Sequence, residues 1–215
     1  MPVTPPSSRR ALLACALGAV LALAGCQKKP ETTPAAAPAA AAADGGMTMG
    51  DPAAKVHMEE YASVTCSHCA EFNNTVFPEF KAKYIDTGKV RYTLHELMTP
   101  PQDVSAAGFM TARCAGRDKY FAVVDDLFRR QAKMFETNDV MGTLRAVATG
   151  AGMTEAQLQA CLTDKTALAA ASARSQAAVA AGVESTPTFL FNGKKVKEGV
   201  ATLEELDAAF AEASK

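Results

Sequence analysis

The residues best suited to chemistry are Cys66-Ser67-His68-Cys69. Two thiols three positions apart face the same side of a helix and can cycle between dithiol and disulfide. If the first cysteine opens a helix, its sulfur meets free backbone N–H groups and the positive end of the helix dipole. Both stabilise a thiolate at Cys66. Cys69 then lies one turn in, less exposed, and His68 adds a neighbouring cation or donor. Stabilising the thiolate favours the reduced form and makes the disulfide a better oxidant. A Cys66 pKa lowered from about 8.5 to about 4 counts for about 3 units at pH 7, or about 4 kcal/mol. For a two-electron couple this is about 90 mV. The competing readings are an inert structural Cys66–Cys69 disulfide and half of a zinc site, which needs two more ligands. Cys114 and Cys161 have no CxxC or HxxxH partner, so no metal is expected, and no cofactor beyond the redox-active Cys66–Cys69 pair.

The flanking pattern supplies the elements that would hold this pair. Lys55 to Ala62 reads as a strand with Val56, Met58 and Glu60 on one face. Cys66 to Tyr84 reads as a helix with Phe72, Val76, Phe77, Phe80 and Tyr84 at apolar positions, kinked at Pro78. Lys89 to Leu97 alternates as a second strand, and Pro100-Pro101 breaks the chain. From Asp103 to about Ala181 the spacing is helical, punctuated by Gly116, Asn138, Gly150 and Gly152, and predicts four or five helices. Thr154 and Gln157 offer a capping box. Thr188 to Phe191 and Lys194 to Lys197 read as two short strands joined by an Asn192-Gly193 turn. Thr202 caps a last helix carrying Leu203, Leu206 and Phe210. The order strand, helix, strand, helical block, strand, strand, helix describes an α/β sheet with an all-helical insertion. Residues 52–100 and 183–215 form its two halves and 101–182 the insertion.

The N-terminus reads as an address. Arg9 and Arg10 precede an uncharged apolar run from Ala11 to Ala24, the two regions of an export signal. The run ends in Leu23-Ala24-Gly25-Cys26, which resembles a bacterial lipoprotein signal spanning residues 1–25, with Cys26 the lipidated residue. Ser8-Arg9-Arg10 also resembles a twin-arginine signal. Residues 26–51, rich in Pro and Ala, read as a flexible tether. Met47 and Met49 within it are read either as soft-metal ligands or as plain linker residues. This topology places the folded part in the cell envelope, anchored to a membrane and facing the periplasm, where disulfides persist.

At this point the sequence resembles a family. Glu60-Tyr61-Ala62-Ser63-Val64-Thr65-Cys66-Ser67-His68-Cys69 looks like the active-site strand and helix start of DsbA-like thiol:disulfide oxidoreductases of the thioredoxin fold. Ser185-Thr186-Pro187-Thr188-Phe189 resembles their cis-proline loop, and the helical block their insertion. The resemblance covers about Lys55 to Ala213. It departs in two places. Ser67 stands where well-known members have Pro, which leaves the potential open, and Thr65 stands where thioredoxins carry Trp. The resemblance implies that Glu60 is a buried acid beside the disulfide, with a raised pKa, able to shuttle the Cys69 proton. The bland alternative is an exposed strand-end charge. Glu59 should point to the opposite face. The resemblance also implies a cis Thr186–Pro187 bond, with Thr186 backbone groups pairing with an extended substrate.

The remaining candidates are structural. A Cys114–Cys161 bridge would close a loop of about 48 residues, worth up to about 4 kcal/mol. Two separate buried thiols and a second redox relay are the alternatives. His57 and His95 read as packed or surface residues, and Tyr120, Phe121 and Phe128 as core.

Charge and hydropathy exclude other classes. Lys plus Arg is 22 against 23 Asp plus Glu, a net charge of −1, so no basic face for nucleic acid is indicated. No apolar run has the length expected of a multi-span membrane protein. The expected function is exchange of disulfides with exported protein thiols, as oxidant, with reoxidation by a membrane quinone-linked partner or thiol carrier. The alternatives are a reductase or isomerase on the same scaffold, serving cytochrome c or copper-site maturation, and a non-enzymatic copper- or zinc-binding lipoprotein.

Overall fold

A computed structural model describes residues 45–215; the signal segment, Cys15, Cys26 and the tether through residue 44 lie outside the described residues. Five strands form one sheet in the order β1-β3-β2-β4-β5. They are β1 (Met47–Met49), β2 (Val56–Ala62), β3 (Val90–Glu96), β4 (Thr188–Phe191) and β5 (Lys194–Glu198). In β2 every second residue is buried, from Val56 through Met58 and Glu60 to Ala62, the period of a half-covered strand. β2 and β3 run parallel, so the chain between them must cross over, and helices do this. β4 runs antiparallel to β2 and sets Phe189 opposite Glu60. Asn192 and Gly193, with φ of 48° and 78°, make the two-residue turn to β5 that Asn-Gly favours.

The tether boundary at residue 51 is corrected. Met47–Met49 pairs antiparallel with β3, Met47 opposite Leu94, and Met47 is buried in the core. A three-residue strand is too short to show a period, and its pairing is long-range, which a linear pattern does not display. Met47 and Met49 are therefore sheet residues rather than a pair in a flexible linker. Gly50 ends the strand at φ +90°, where a Cβ would meet the Val90 carbonyl at 2.6 Å.

The expected helix Cys66–Tyr84 is in three pieces: α1 (Ser67–Thr75), α2 (Phe77–Phe80) and a π-helical turn, Lys81–Ile85. The break falls at Val76, before the proline, and Pro78 sits in the first turn of α2. Proline is tolerated there because the N–H it lacks would have no helical partner. Phe72, Phe80 and Tyr84 still face the core.

The helical block holds five helices, α3 (Gln102–Cys114), α4 (Arg117–Thr137), α5 (Val140–Gly150), α6 (Glu155–Leu162) and α7 (Lys165–Ala180). Both halves of the Thr154–Gln157 capping box are present. Asn138, left-handed at φ 52°, ends α4. Asp164, which the glycine punctuation does not signal, caps α7 by accepting from the Thr166 and Ala167 N–H groups. The closing helix α8 (Leu203–Ala213) has its own capping box from Thr202 to Glu205.

Two long-range ties secure the block. Cys114, at the end of α3, is bonded to Cys161 in α6 with S–S 2.01 Å and Cα–Cα 6.3 Å. Glu96 at the end of β3 is buried and accepts from Arg113 Nε at 2.6 Å, Arg174 Nε at 2.7 Å and the Tyr120 hydroxyl at 2.9 Å. One carboxylate thus joins the sheet to α3, α4 and α7. Tyr120 and Phe128 lie in the core, with the partly buried Phe121 packed against it. Among the described residues no helix is long and apolar enough to cross a membrane.

Candidate active site

Cys66 is the N-cap of α1, not its first residue: its backbone is extended, at φ −85° and ψ 120°. The extended geometry turns the sulfur back over the helix start, where it accepts from the Cys69 N–H at 3.4 Å, the bond an N-cap side chain makes. The strand-to-helix turn is held by three segments remote in sequence. The Cys66 N–H donates to the Ser63 carbonyl. Gln131 of α4 donates from Nε2 to the Val64 carbonyl at 2.8 Å and to the Cys66 carbonyl at 3.0 Å. Thr65 donates to the Thr99 carbonyl at 3.0 Å, and the Ser63, Thr65, Thr99 and Ser105 hydroxyls link at 2.9–3.0 Å.

The loop before β4 closes the site from the other side. The Thr186–Pro187 peptide is cis, and the Cys66 thiol donates to the Thr186 carbonyl at 3.3 Å. A second cis bond, Pro100–Pro101, lies in the loop that Thr65 contacts.

Both thiols are free, Cys66 half-buried and Cys69 buried. Their proton affinities are driven apart. The Cys66 pKa is lowered to about 5, first by a hydrogen bond from the Cys69 thiol, against the cost of burial. A Thr186 side-chain bond and the backbone N–H groups of Cys69 and His68 lower it further. In the neutral form the same sulfur donates to the Thr186 carbonyl, a contact that favours the thiol; ionisation exchanges it for hydroxyl and amide donors, and the donors outnumber it. Cys69 is pushed well above an ordinary thiol by burial, then by the Cys66 sulfur and the Glu60 charge.

Glu60 is 3% exposed, so the exposed strand-end reading does not hold. Its carboxyl accepts from the Tyr92 hydroxyl at 2.6 Å. Burial raises its pKa to about 8, the Tyr92 bond opposes the rise and the Cys66 charge adds to it. Glu59 points to the opposite face, where His95 Nε2 lies 3.0 Å from it and stacks on Tyr61. His57 is half-buried, 2.7 Å from the Thr93 hydroxyl. Neither histidine is at the thiol pair, and among the described residues no group of three or more His, Cys, Asp or Glu side chains could hold a metal ion.

His68 is the site residue whose expected role changes. Its side chain is exposed, and the bond that lowers the Cys66 pKa comes from its backbone N–H. At the second position of an N-cap box the main chain points at the cap while the side chain points outward, so the residue type matters less than the geometry. Two contributors carried no motif. Gln131 is a buried polar residue on the apolar stripe of α4, among Val124, Leu127, Phe128 and Met134, and that misplacement was its readable signal. Tyr92 reads as an ordinary inward strand residue.

Sheet, helix start and split thiol pair together define a thioredoxin-fold protein with a two-cysteine centre. The comparisons with known proteins agree. The chain belongs to the thioredoxin family, whose model, described as "Thioredoxin", matches residues 42–211. A Rickettsia bellii protein named "Putative protein-disulfide oxidoreductase" is 34% identical over 152 residues, 68% of this chain and 57% of that protein. A similarly named protein of Rickettsia prowazekii is 33% identical over 169 residues, 78% and 61% of the two chains. The chain thus spans about three fifths of the length of these curated relatives. Among solved structures, alpha-DsbA1 of Wolbachia pipientis superposes with a TM-score of 0.71 at 25% identity, covering 80% of this chain and 94% of that one. BdbD of Bacillus subtilis shares the fold, with a TM-score of 0.69 at 21% identity over 79% and 92%.

Proposed function

We propose that this protein is a thiol:disulfide oxidoreductase that introduces disulfides into exported proteins through the Cys66–Cys69 pair. One observation carries the reading: the two thiols differ sharply in proton affinity, with Cys66 an accessible thiolate at a helix start and Cys69 a buried thiol. A substrate thiolate attacks Cys66 Sγ of the oxidised pair, and the electron pair of the broken S–S bond leaves on Cys69. Glu60, protonated below about pH 8, returns a proton to Cys69. A second substrate thiolate attacks the substrate sulfur of the mixed disulfide and releases Cys66 as a thiolate. Its low pKa makes it a good leaving group. Two electrons pass to the pair, and a membrane quinone-linked oxidase or thiol carrier must remove them. Thr186 and Pro187 flank Cys66 and offer backbone groups for an extended substrate segment. The Cys114–Cys161 bridge serves as a brace. Export and lipid anchoring at Cys26 in the envelope belong to the same reading, supported by Arg9-Arg10 and by Leu23-Ala24-Gly25-Cys26; no nucleic-acid partner is involved.

The reduction potential against glutathione tests the direction. With Cys66 at about 5, about 2 units of thiolate stabilisation count at pH 7, or about 60 mV in the oxidising direction. A value near the roughly −270 mV of thioredoxin would assign the pair to the reductase or isomerase reading. Tight stoichiometric copper or zinc binding without exchange activity would favour the non-enzymatic one.

A further inference from the structure

Glu60 is enclosed on every side, and the groups around it are few. From α1 and its cap come Cys69 and Cys66, both of which feel or exert its charge. In register with Glu60 stand two apolar residues, Phe189 on β4 and Leu94 on β3. From β3 comes Tyr92, whose hydroxyl lies 2.6 Å from Glu60 Oε2. Tyr120 of α4 stands behind Tyr92, near enough to interact with it, and is itself bound to Glu96. Among the described residues, Tyr92 is the one side chain that hydrogen-bonds the Glu60 carboxyl. The Tyr92 ring has little freedom. It is 2% exposed and packed between Phe77, at 4.9 Å between centroids, and Phe121, at 5.9 Å. Its own pKa is driven well above the usual phenol by burial, so it acts as a fixed neutral donor.

We propose that Tyr92 is a positioning residue for proton transfer at the pair: its hydroxyl holds the Glu60 carboxylate beside Cys69 and decides when that carboxylate is free to take the Cys69 proton. This rests on the thiol–disulfide exchange proposed above. In the return half-reaction Cys66 is joined to a partner sulfur. The Glu60 carboxylate takes the proton from the Cys69 thiol, and the Cys69 thiolate attacks Cys66 Sγ. The Cys66–Cys69 bond forms, the Cys66–partner bond breaks, and its electron pair leaves on the partner thiolate. A phenol donates to a carboxylate far better than to a carboxylic acid, so Tyr92 favours the form of Glu60 that accepts the proton. Without it, burial acts unopposed and Glu60 stays protonated to higher pH.

Ellman's reagent reads the two thiols in turn. Reduced protein releases a first thionitrobenzoate when Cys66 reacts and a second when Cys69 attacks the mixed disulfide; both are followed at 412 nm as a function of pH. Tyr92→Phe keeps the ring and removes the hydroxyl. Its second phase should shift to higher pH by about one to two units, the worth of one hydrogen bond to a charged group. Its first phase should keep its acid midpoint, because Glu60 is neutral there in both proteins. Glu60→Gln should lose the same limb of the second phase. A Tyr92→Phe second phase that matches the wild type, while Glu60→Gln differs, would overturn the role of Tyr92 and leave the exchange reading intact. Absence of any second phase in the wild type would instead overturn the exchange reading. Should Tyr92→Phe fail to fold, 13C NMR of the wild type decides the matter. The Tyr92 Cζ shift should follow the Glu60 carboxyl titration, and a Tyr92 signal indifferent to it would refute the proposal.

Discussion

The low pKa of Cys66 can be traced to particular donors, and the largest is the Cys69 thiol. Replacing Cys69 by alanine removes that donor and leaves the backbone N–H groups of Cys69 and His68 in place. A hydrogen bond to a charged group contributes about 1.5–3 kcal/mol, or about one to two pKa units. Cys69→Ala should therefore raise Cys66 from about 5 to about 6–7. Cys69→Ser keeps a donor of similar reach and should stay close to the starting value. The comparison is best made at pH 5, where the wild-type thiol is about half ionised and a thiol of pKa about 6.5 is about 3% ionised. Alkylation of Cys66 by iodoacetamide at pH 5 should thus lose about fifteenfold from the smaller ionised fraction and regain about four- to fivefold from the greater intrinsic nucleophilicity, a net slowing of about threefold in the alanine variant. At pH 8 both thiols are ionised, and the alanine variant should be the faster by about four- to fivefold through that nucleophilicity. Thiolate absorbance at 240 nm gives the midpoints independently. A Cys69→Ala midpoint still near 5 would refute the reasoning and assign the effect to Thr186 and the helix start.

Two further changes probe the surroundings of the pair. Glu60 has a folded-state pKa of about 8 against an ordinary carboxylate near 4.5, so ionising it in the folded protein costs stability. The cost begins above about pH 4.5 and is complete above about pH 8, with a size of order 5 kcal/mol. Reduced Glu60→Gln should therefore be more stable than reduced wild type at pH 9 and equal to it near pH 4 in urea unfolding; a difference independent of pH would contradict the assignment. Gln131→Ala strips the buried Val64 carbonyl of its side-chain donor, while the part-buried Cys66 carbonyl keeps the Ala70 N–H, and should lower stability by about 1–3 kcal/mol. The urea midpoint should fall with an unchanged slope, and a midpoint shift below about 0.5 kcal/mol equivalent would mean that water replaces the amide.

What the sequence made legible was whatever local rules encode. The alternation of Val56, Met58 and Glu60 put Glu60 on the core face, and the Thr154 and Thr202 caps and the Asn192-Gly193 turn follow from side chains within four positions of each other. The strand β1 was not legible, because Met47–Met49 becomes a strand only by pairing with β3 more than forty residues away. Tyr92 looks like part of an apolar face until the carboxylate it meets is known, and Gln131 stands out on one as a polar residue while the carbonyls it meets stay hidden. Glu96, at the end of an alternating strand, gave no sign that Arg113, Tyr120 and Arg174 converge on it. Such a cluster exchanges the solvation of a buried charge for fixed donors, and the donors lie on three different helices.

The residue types within the Cys66–Cys69 motif also invited a conclusion that the geometry reverses. His68 is the obvious candidate for a charge beside the sulfur, yet its imidazole is exposed and its contribution is a backbone N–H. Ser67, the departure from the family pattern, is exposed as well. The two intervening side chains therefore lie outside the hydrogen bonds that stabilise the thiolate, which come from the Cys69 thiol, Thr186 and the main chain of α1. Beside the Cys69 thiol and Thr186, the direction of the turn also matters, since it decides whether the N–H groups point at the sulfur. The turn is set by Gln131, which donates to its carbonyls, and by the Thr99 carbonyl, which accepts from the Thr65 hydroxyl, and Gln131 belongs to the helical insertion. The insertion is thus part of the redox centre in a physical sense: by fixing the Val64 and Cys66 carbonyls, it keeps the helix start aimed at Cys66.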